Sequence, residues 1–310
     1  MPLLDSSQLP SKHMEPVWQV AWVNKGAERG ESLVSVSSDG RVAEWNMKKG
    51  LTSATLMLLK RSTAPNRAPQ PGQAGPGGAG DGGGAGVGAI SRHAAGLTFD
   101  FPAGDANTYF AGTEDGAVHQ CSTSYTEQSL ATFGGHAGPV YRVKCAPFGP
   151  AFLSCSADWT VKLWAFAAPG GCVATFRAND LTDVVHDVCW SPTSSTAFAL
   201  ATGDGRVELW DLSRSTLDPL VSLFAAGDGP GEACGGGGPG SAGAASPGGG
   251  RRAAQTALAF GPGGGPVLVV GDAWGRAAVY EVQGVDLKQA RAPTHAQQAA
   301  RLKAAMAAAH

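Results

Sequence analysis

The stretch GGHAGPVYRVKCAPFGPAFLSCSADWTVKLWAF, residues Gly134–Phe166, carries the pattern that decides the fold. Short runs rich in β-branched and aromatic residues are separated by Pro, Gly and an Ala-Asp pair, which is typical of antiparallel strands joined by tight turns. We therefore predict strands over Val140–Cys145, Ala151–Ser156 and Thr160–Phe166. A Gly-His pair ending at His136 precedes the first strand, and Asp158 lies in a turn six residues before Trp164.

The same unit recurs along the chain, and such self-similarity predicts a repeat architecture. In the first unit, His13, Asp39 and Trp45 take the places of the His, Asp and Trp of the opening stretch. Other units depart from the pattern. The second has Asp115 in the turn but Cys121 in place of the Trp, the fourth has Asp204 and Trp210 but Leu181 in the His position, and the fifth has Trp274 in place of the Asp and Tyr280 in place of the Trp.

The spacing of the turns locates two insertions. Successive turn positions at 39, 115, 158, 204 and 274 are 76, 43, 46 and 70 residues apart. The two middle intervals fit a period of about 40–45 residues. Each long interval contains a Gly/Pro-rich segment, at about residues 62–88 and 225–252, which cannot bury enough apolar area to offset its chain entropy. We predict disordered loops there, within a repeat domain over residues 13–284.

These repeats resemble the blades of a WD40-type β-propeller, an all-β fold. The resemblance implies that His136, Asp158, a strand hydroxyl (Ser154 or Ser156) and Trp164 form a buried hydrogen-bonded line across the blade. A buried Asp needs such partners to offset its desolvation. The same His and Asp could instead form a catalytic dyad, but repetition of the motif favours a structural pair. The residues predicted to form the structural blade motif are His13, Asp39, Trp45, Asp115, His136, Asp158, Trp164, Asp204 and Trp210.

Beyond generic WD repeats, several stretches are similar to the WD-repeat intermediate chains of axonemal dyneins. They include PVWQVAW (16–22), SVSSDGRVAEW (35–45), GTEDGAVHQCSTSY (112–125) and, as the most specific, FLSCSADWTVKLW (152–164). Two others, RVELWDLSRSTLDPL (206–220) and VVGDAWGRAAVYEV (269–282), look most like the intermediate chain of the two-headed inner arm, dynein f. The resemblance covers the chain apart from the two inserts and the Ala-rich tail.

Five recognisable blades are fewer than the roughly seven of most WD rings, so we expect the chain to form part of a seven-bladed ring with two blades missing, and the alternative is a free-standing five-bladed ring. Residues 1–12 form a short N-terminal lead. Residues 285–310 form an Ala-rich helical tail, with Thr294 as a candidate N-cap. Leu302 and Met306 give it only a thin apolar stripe. We interpret this helix as solvated and marginally stable, and the alternative is a docking helix for a partner.

Composition limits the function classes. The net charge is −2 in 310 residues, so nothing indicates binding to nucleic acid or membrane. No Ser/His/Asp or metal-ligand spacing emerges, and no Gly-Lys-Ser phosphate loop is present. We therefore expect no enzyme and no catalytic, cofactor or metal site. Trp159, at the tip of the turn beside Asp158, is either an exposed partner contact or a side chain folded back on its own blade.

The resemblance implies a non-catalytic intermediate chain of an axonemal, inner-arm dynein. As its partners it implies the dynein heavy chain and other intermediate and light chains, with only indirect association with microtubules. It places the protein in the cytoplasm, in the cytoskeleton of the ciliary or flagellar axoneme. The alternatives are an outer-arm dynein intermediate chain, or a general WD40 adaptor such as the substrate receptor of a ubiquitin ligase.

Overall fold

The computed structural model of the chain describes residues 5–7, 9–26, 30–47, 51–61, 93–177, 180–224, 252–261, 267–282 and 294–309. The two predicted disordered inserts lie outside the described residues, apart from Arg252. Within those ranges the protein is an all-β WD40-type propeller of five consecutive sheets, followed by one helix. The predicted fold class is confirmed.

Each sheet, or blade, is an antiparallel meander in which strands that follow one another in sequence are paired. Blade 1 consists of β1 (Val17–Asn24), β2 (Glu31–Ser37), β3 (Arg41–Asn46) and β4 (Thr52–Leu58). Blade 2 consists of β5 (Gly96–Asp100), β6 (Thr108–Thr113), β7 (Ala117–Ser122) and β8 (Ala131–Gly134). Blade 3 consists of β9 (Val140–Cys145), β10 (Ala151–Ser156), β11 (Val161–Ala165) and β12 (Ala174–Phe176).

Blade 4 consists of β13 (Val185–Trp190), β14 (Ala197–Thr202), β15 (Arg206–Asp211) and β16 (Val221–Phe224). Blade 5 has three strands in the described part of the chain, β17 (Gln255–Phe260), β18 (Val267–Asp272) and β19 (Ala277–Glu281). The first two strands predicted for blade 3 match the observed bounds, and the third is shorter by one residue at each end. The fourth strands of blades 1 to 4 were not predicted, because these outer strands are short or largely exposed and lack a continuous apolar run.

Neighbouring blades are joined by apolar packing and by side-chain bonds between their first strands. Gln19 on β1 donates to the Phe99 carbonyl at 2.8 Å, and Asp100 on β5 accepts from the Cys145 N–H at 2.7 Å. Asp187 on β13 accepts from Arg142 Nε at 2.8 Å and from the Leu258 N–H at 2.9 Å, and so connects blades 3, 4 and 5. The first strand of each blade lies at one edge of its sheet and leaves some backbone groups unpaired. These side-chain bonds satisfy several of those groups.

The outward faces of the first and last blades are exposed. On β1, Trp18, Val20 and Trp22 expose 61%, 54% and 58% of their surface. Val143, which occupies the place of Val20 in blade 3, is fully buried in the core that blades 2 and 3 share. At the other end, Val279 on β19 is 68% exposed. The seven-bladed ring therefore stays a prediction, while both end faces carry the apolar residues that pack between blades elsewhere.

The C-terminal helix α1 (His295–Ala308) begins at the predicted N-cap. The Thr294 side chain accepts from the Gln297 N–H, and the Gln297 side chain accepts in turn from the Thr294 N–H, which completes a capping box. The prediction that this helix is solvated was wrong, because Leu302 is 1% exposed and packs into the core of blades 3 and 4. The sequence pattern could not indicate this, since the surface that receives the helix is built from distant loops.

The turn between the second and third strands of every blade contains one residue in the left-handed region. The φ angles are 77° at Gly40, 82° at Gly116, 68° at Trp159, 89° at Gly205 and 81° at Gly275. In blade 2 there is also no room for a side chain, because a Cβ on Gly116 would lie 2.4 Å from the His136 carbonyl oxygen. The segment that enters the next blade therefore runs directly against the turn.

We predict that Gly116→Ala destabilises the fold by roughly 2–5 kcal/mol, the sum of left-handed strain and a backbone clash. Gly104→Ala is the matched control, since Gly104 has φ 81° but no other described residue places an atom within 4 Å of its Cβ position. The control should lose only about 1–2 kcal/mol. Chemical denaturation of both variants measures the difference, and equal losses would contradict close packing at this turn.

Candidate functional site: polar lines within the blades and a turn tryptophan

Blade 3 contains a continuous line of four polar side chains, contributed by the segment before β9, by β10, by the turn after it and by β11. His136 Nδ1 lies 2.9 Å from Asp158 Oδ2, and His136 Nε2 lies 2.7 Å from Ser154 Oγ. The Trp164 indole N–H donates to the same Ser154 oxygen at 2.8 Å. Of the two hydroxyls considered from the sequence, Ser154 therefore belongs to the line, while Ser156 accepts from the Asp158 N–H at 3.1 Å.

Blade 1 repeats this geometry. His13 Nδ1 lies 3.0 Å from Asp39 Oδ2 and His13 Nε2 lies 2.7 Å from Ser35 Oγ, which also accepts from the Trp45 indole N–H at 2.7 Å. The Met14 N–H donates to the Asp39 carboxylate at 3.2 Å. The structure thus brings together the residues that the sequence grouped in these two units.

The order Asp–His–Ser is also the order of a serine hydrolase triad, so its chemistry has to be considered. In blade 3 the Ser154 hydroxyl is completely buried, and its oxygen accepts the Trp164 indole N–H. The most economical proton arrangement has Ser154 donating to His136 Nε2 and His136 Nδ1–H donating to Asp158. A hydroxyl held in this way has no open path to a substrate carbonyl, so the arrangement can bond strands but cannot position a nucleophile.

The electrostatics fix the charge state of the line. Burial alone would raise the pKa of Asp158, but hydrogen bonds from His136 and Thr160 and the charge of His136 outweigh it, and the Asp158 pKa lies well below its usual range. Burial lowers the pKa of His136, and the hydrogen bond to Asp158 opposes this only in part. At neutral pH the pair is therefore an ionised carboxylate beside a neutral imidazole.

Blade 4 keeps Asp204 and Trp210 but connects them through other residues. Leu181, in the His position, is 2% exposed and supplies no polar atom. The Trp210 indole N–H instead donates to Glu208 Oε2 at 3.0 Å, and Arg206 Nε donates to Asp204 Oδ2 at 2.9 Å. The roles of Arg206 and Glu208 were not predicted from the sequence. The signal was available, because residues two apart on a strand share a face, and an indole N–H without its serine requires another acceptor.

Blades 2 and 5 depart further from the pattern. In blade 2 the Thr113 hydroxyl donates to the Asp115 carboxylate, and Cys121 fills the tryptophan position as a fully buried apolar side chain. In blade 5 the turn carboxylate is Asp272, which accepts from the Trp274 N–H at 2.9 Å and from the Arg276 N–H at 2.8 Å. The sequence indicated that Trp274 replaces the Asp of this turn, and the role of Asp272, two residues before it, was not predicted.

Trp159 is the single described non-glycine residue with a positive φ, at the turn position where the other four blades have glycine. A bulky side chain in this conformation is strained by about 1–2 kcal/mol. The ring is 38% exposed, and the Arg177 guanidinium lies 5.3 Å from its centroid. Both sequence alternatives are thus partly realised, since the ring contacts Arg177 and still presents a face to solvent. Backbone strain that persists at an exposed aromatic residue is a reason to consider a functional role for that residue.

Other kinds of site have less support among the described residues. They contain no group of three or more His, Cys, Asp or Glu side chains that could hold a metal ion. None of their helices has the length and apolar character needed to cross a membrane.

We predict that the Asp158 carboxylate stabilises the fold above about pH 4 and that this contribution is lost in acid. Its pKa is lower in the folded chain than in the unfolded chain, so the unfolded state binds the proton first as the pH falls. Asp158→Asn should therefore be less stable than the parent chain by roughly 1–3 kcal/mol at pH 7, and the difference should shrink below pH 4. Urea titrations from pH 2.5 to 7 measure both effects.

The exposed Asp218→Asn is the control, and it should follow the parent curve. Because the His136 pKa is also lowered, both the parent chain and Asp158→Asn should lose stability as the pH falls below about 6.5. A constant gap between the parent chain and Asp158→Asn at all pH values would contradict the assignment.

We predict that two substitutions of Glu208 in blade 4 affect stability to different extents. Burial raises the Glu208 pKa, opposed by the Trp210 hydrogen bond and by Arg206. Glu208→Gln keeps an acceptor for the indole and removes a buried charge, so the free energy of unfolding should change by less than about 1 kcal/mol. Glu208→Ala leaves the Trp210 N–H unpaired and should cost about 1–3 kcal/mol more. Thermal unfolding would refute the Glu208–Trp210 bond if both variants lost equally.

Comparison with known proteins places these features in a family. The profile described as "WD domain, G-beta repeat" matches residues 127–165 and 170–211, which include most of blades 3 and 4. "Dynein axonemal intermediate chain 4" of Rattus norvegicus is 46% identical over 226 residues, covering 71% of this chain and 26% of the relative. The "78 kDa intermediate chain, flagellar outer arm" dynein protein of Chlamydomonas reinhardtii is 34% identical over 230 residues, covering 71% of this chain and 30% of that protein.

Among solved structures, the "WD40 beta propeller domain of Doa1" superposes with a TM-score of 0.57 at 16% identity, covering 88% of this chain and 68% of that one. At this identity the likeness concerns the fold alone. The chain spans less than a third of the length of these two dynein relatives. The resemblance found in the sequence is nevertheless confirmed: this chain is a WD-repeat homologue of the axonemal dynein intermediate chains.

Proposed function

We propose that the chain is the WD-repeat portion of a non-catalytic intermediate chain of an axonemal dynein, and that it acts as a scaffold within the motor complex. The observation that carries the proposal is the 46% identity to an axonemal dynein intermediate chain over 226 residues. That length corresponds to most of the blades rather than to a single repeat, so it exceeds what a shared WD pattern would require.

The geometry supports a scaffold over an enzyme. The side chains with catalytic potential, such as His136 and Ser154, lie inside a blade and bond its strands to one another. Functional groups that remain available are on the surface, and Trp159 is the most distinctive of them. Tryptophan is enriched among the residues that dominate protein–protein binding energy. We therefore propose Trp159 as a partner contact.

The partners in this proposal are the dynein heavy chain and other dynein intermediate and light chains, with microtubules reached only through the complex. The location is the axoneme of a cilium or flagellum. We assign the chain to an inner arm, as the sequence segments 206–220 and 269–282 indicate. An outer-arm assignment has less support, because the outer-arm relative from Chlamydomonas is 34% identical, against 46% for the axonemal chain 4 of rat.

Affinity capture from axonemal extract tests the proposal directly. The tagged chain should recover a dynein heavy chain, identified by mass spectrometry, at a level well above that of a tagged unrelated WD40 propeller. Recovery of ubiquitin-ligase subunits without any heavy chain would instead support the general adaptor alternative and overturn the dynein assignment.

We predict that Trp159→Gly lowers heavy-chain recovery several-fold and changes the free energy of unfolding by less than about 1 kcal/mol. Glycine relieves the left-handed strain, and this gain roughly offsets the loss of the Arg177 contact. Trp274→Ala is the matched control, because Trp274 is also 38% exposed and is likewise stacked on an arginine, Arg276 at 4.7 Å. Unchanged recovery with Trp159→Gly, or an equal loss with the control, would remove Trp159 from the interface.

A further inference from the structure

Helix α1 lies on three loops at one end of the strands of blades 3 and 4. We call these loops the loop platform: residues 146–150 between β9 and β10, residues 191–196 between β13 and β14, and residues 212–220 between β15 and β16. His295, in the first turn of α1, lies 3.3 Å from the Pro147 carbonyl oxygen through Nε2, and its ring is 5.7 Å from that of Phe148. The first turn of the helix therefore contacts the blade 3 loop of the platform rather than extending into solvent.

One side chain of α1 is recognised by backbone groups of the loop platform. Gln298 Oε1 accepts from the Ser195 N–H at 3.0 Å, and Gln298 Nε2 donates to the Thr193 carbonyl at 2.6 Å. Gln298 is only 2% exposed. A carboxamide that makes both bonds to one loop is matched in shape as well as polarity, because a carboxylate could not donate and an ammonium could not accept.

The apolar contacts follow the same face of the helix. Leu302, one turn after Gln298, is 1% exposed, and its Cδ2 lies 3.0 Å from the position that a Cβ on Gly149 would occupy. Ala305 is 8% exposed and joins Leu302 in the core shared by blades 3 and 4. Because Gly149 has no side chain, the Leu302 side chain can pack directly against this loop. The platform thus contacts a glutamine, a leucine and a small residue at helical positions i, i+4 and i+7.

Helix α1 does not fill this surface completely. A cleft of about 510 Å³ remains between the helix and the loops of blade 4, lined on the helix side by Arg301, Ala304 and Ala308 and on the loop side by Asp211 and Arg214. The Ser195 hydroxyl is buried without a hydrogen-bond partner among the described residues. A helix with larger side chains at the positions of Ala304 and Ala308 would make more contacts than α1 does.

We propose that the loop platform is a binding site for an amphipathic helix of a partner protein and that α1 is its intramolecular occupant. The fitting partner helix carries Gln, Leu and a small residue at i, i+4 and i+7, with larger apolar residues in place of Ala304 and Ala308. Covalent attachment gives α1 a high effective concentration at the platform, so a partner helix binds only after it displaces α1. The helix is thereby an autoinhibitory element of this surface.

The test uses a fluorescent synthetic peptide with the sequence of residues 292–310 and the full-length chain. Peptide anisotropy is titrated with the parent chain, with Leu302→Asp, which releases α1, and with Lys303→Asp as the matched control on the exposed side of the helix. We expect Leu302→Asp to bind the peptide at least tenfold more tightly than the parent chain or the control. A second peptide with Ala304→Leu and Ala308→Leu should bind Leu302→Asp more tightly still, and a third with Gln298→Ala about tenfold more weakly.

Circular dichroism and thermal unfolding establish that each chain variant is folded. If Leu302→Asp does not fold, Gln298→Ala in the chain replaces it, because that change removes the two loop bonds and keeps the apolar face of α1. Absence of peptide binding to the folded, released variant would overturn the proposal. Equal affinity for all chains, or for a peptide carrying Leu302→Asp, would do so as well.

Discussion

Each blade buries hydrogen-bonding side chains between its strands, and water cannot reach them there. The indole N–H groups of Trp45, Trp164 and Trp210 therefore need an acceptor inside the sheet, and leaving one unpaired would cost about 1–3 kcal/mol. Serine supplies the acceptor in blades 1 and 3, where a histidine and an aspartate extend the line. In blade 4 the histidine position holds Leu181, and Glu208 supplies the acceptor instead. In blades 1, 3 and 4 the indole N–H is thus always paired, although the residue that accepts it differs between blades.

A second constraint acts between blades, where the chain entering the next blade runs against the preceding turn. A Cβ on Gly40 or Gly205 would lie 2.9 Å from a backbone carbonyl oxygen, and one on Gly116 would lie closer still. Glycine in these turns therefore reflects both the left-handed conformation and the lack of space. Trp159 has the same backbone conformation with a large side chain, so blade 3 must leave open the space that is filled at the turns of blades 1, 2 and 4. Neither the packing nor the backbone favours tryptophan at this position, which makes a role at the surface the more economical explanation.

The sequence predicted the inner three strands of the blades and the turn carboxylates of four blades, because these features depend on local pattern and on repetition. It failed where partners come from distant segments. The outer strands of blades 2 to 4, such as Ala174–Phe176, are too short to carry a period of their own, and their position depends on pairing with the third strand. Gln298 gave no signal in an Ala-rich helix, since the Thr193 and Ser195 backbone groups that bind it are about a hundred residues away. Arg206 and Glu208 could have been found by asking which side chain replaces a missing histidine and serine.

The two surface features considered for binding lie at opposite ends of the same strands. Trp159 follows the C-terminal end of β10, whereas the loop platform includes the loop before its N-terminal end. A strand of six residues separates its ends by about 17–20 Å, so the Trp159 turn and the loop platform are distinct surfaces at opposite ends of blade 3. A propeller with this arrangement is suited to holding two components at a fixed distance, which is the mechanical task of a scaffold in a larger motor complex.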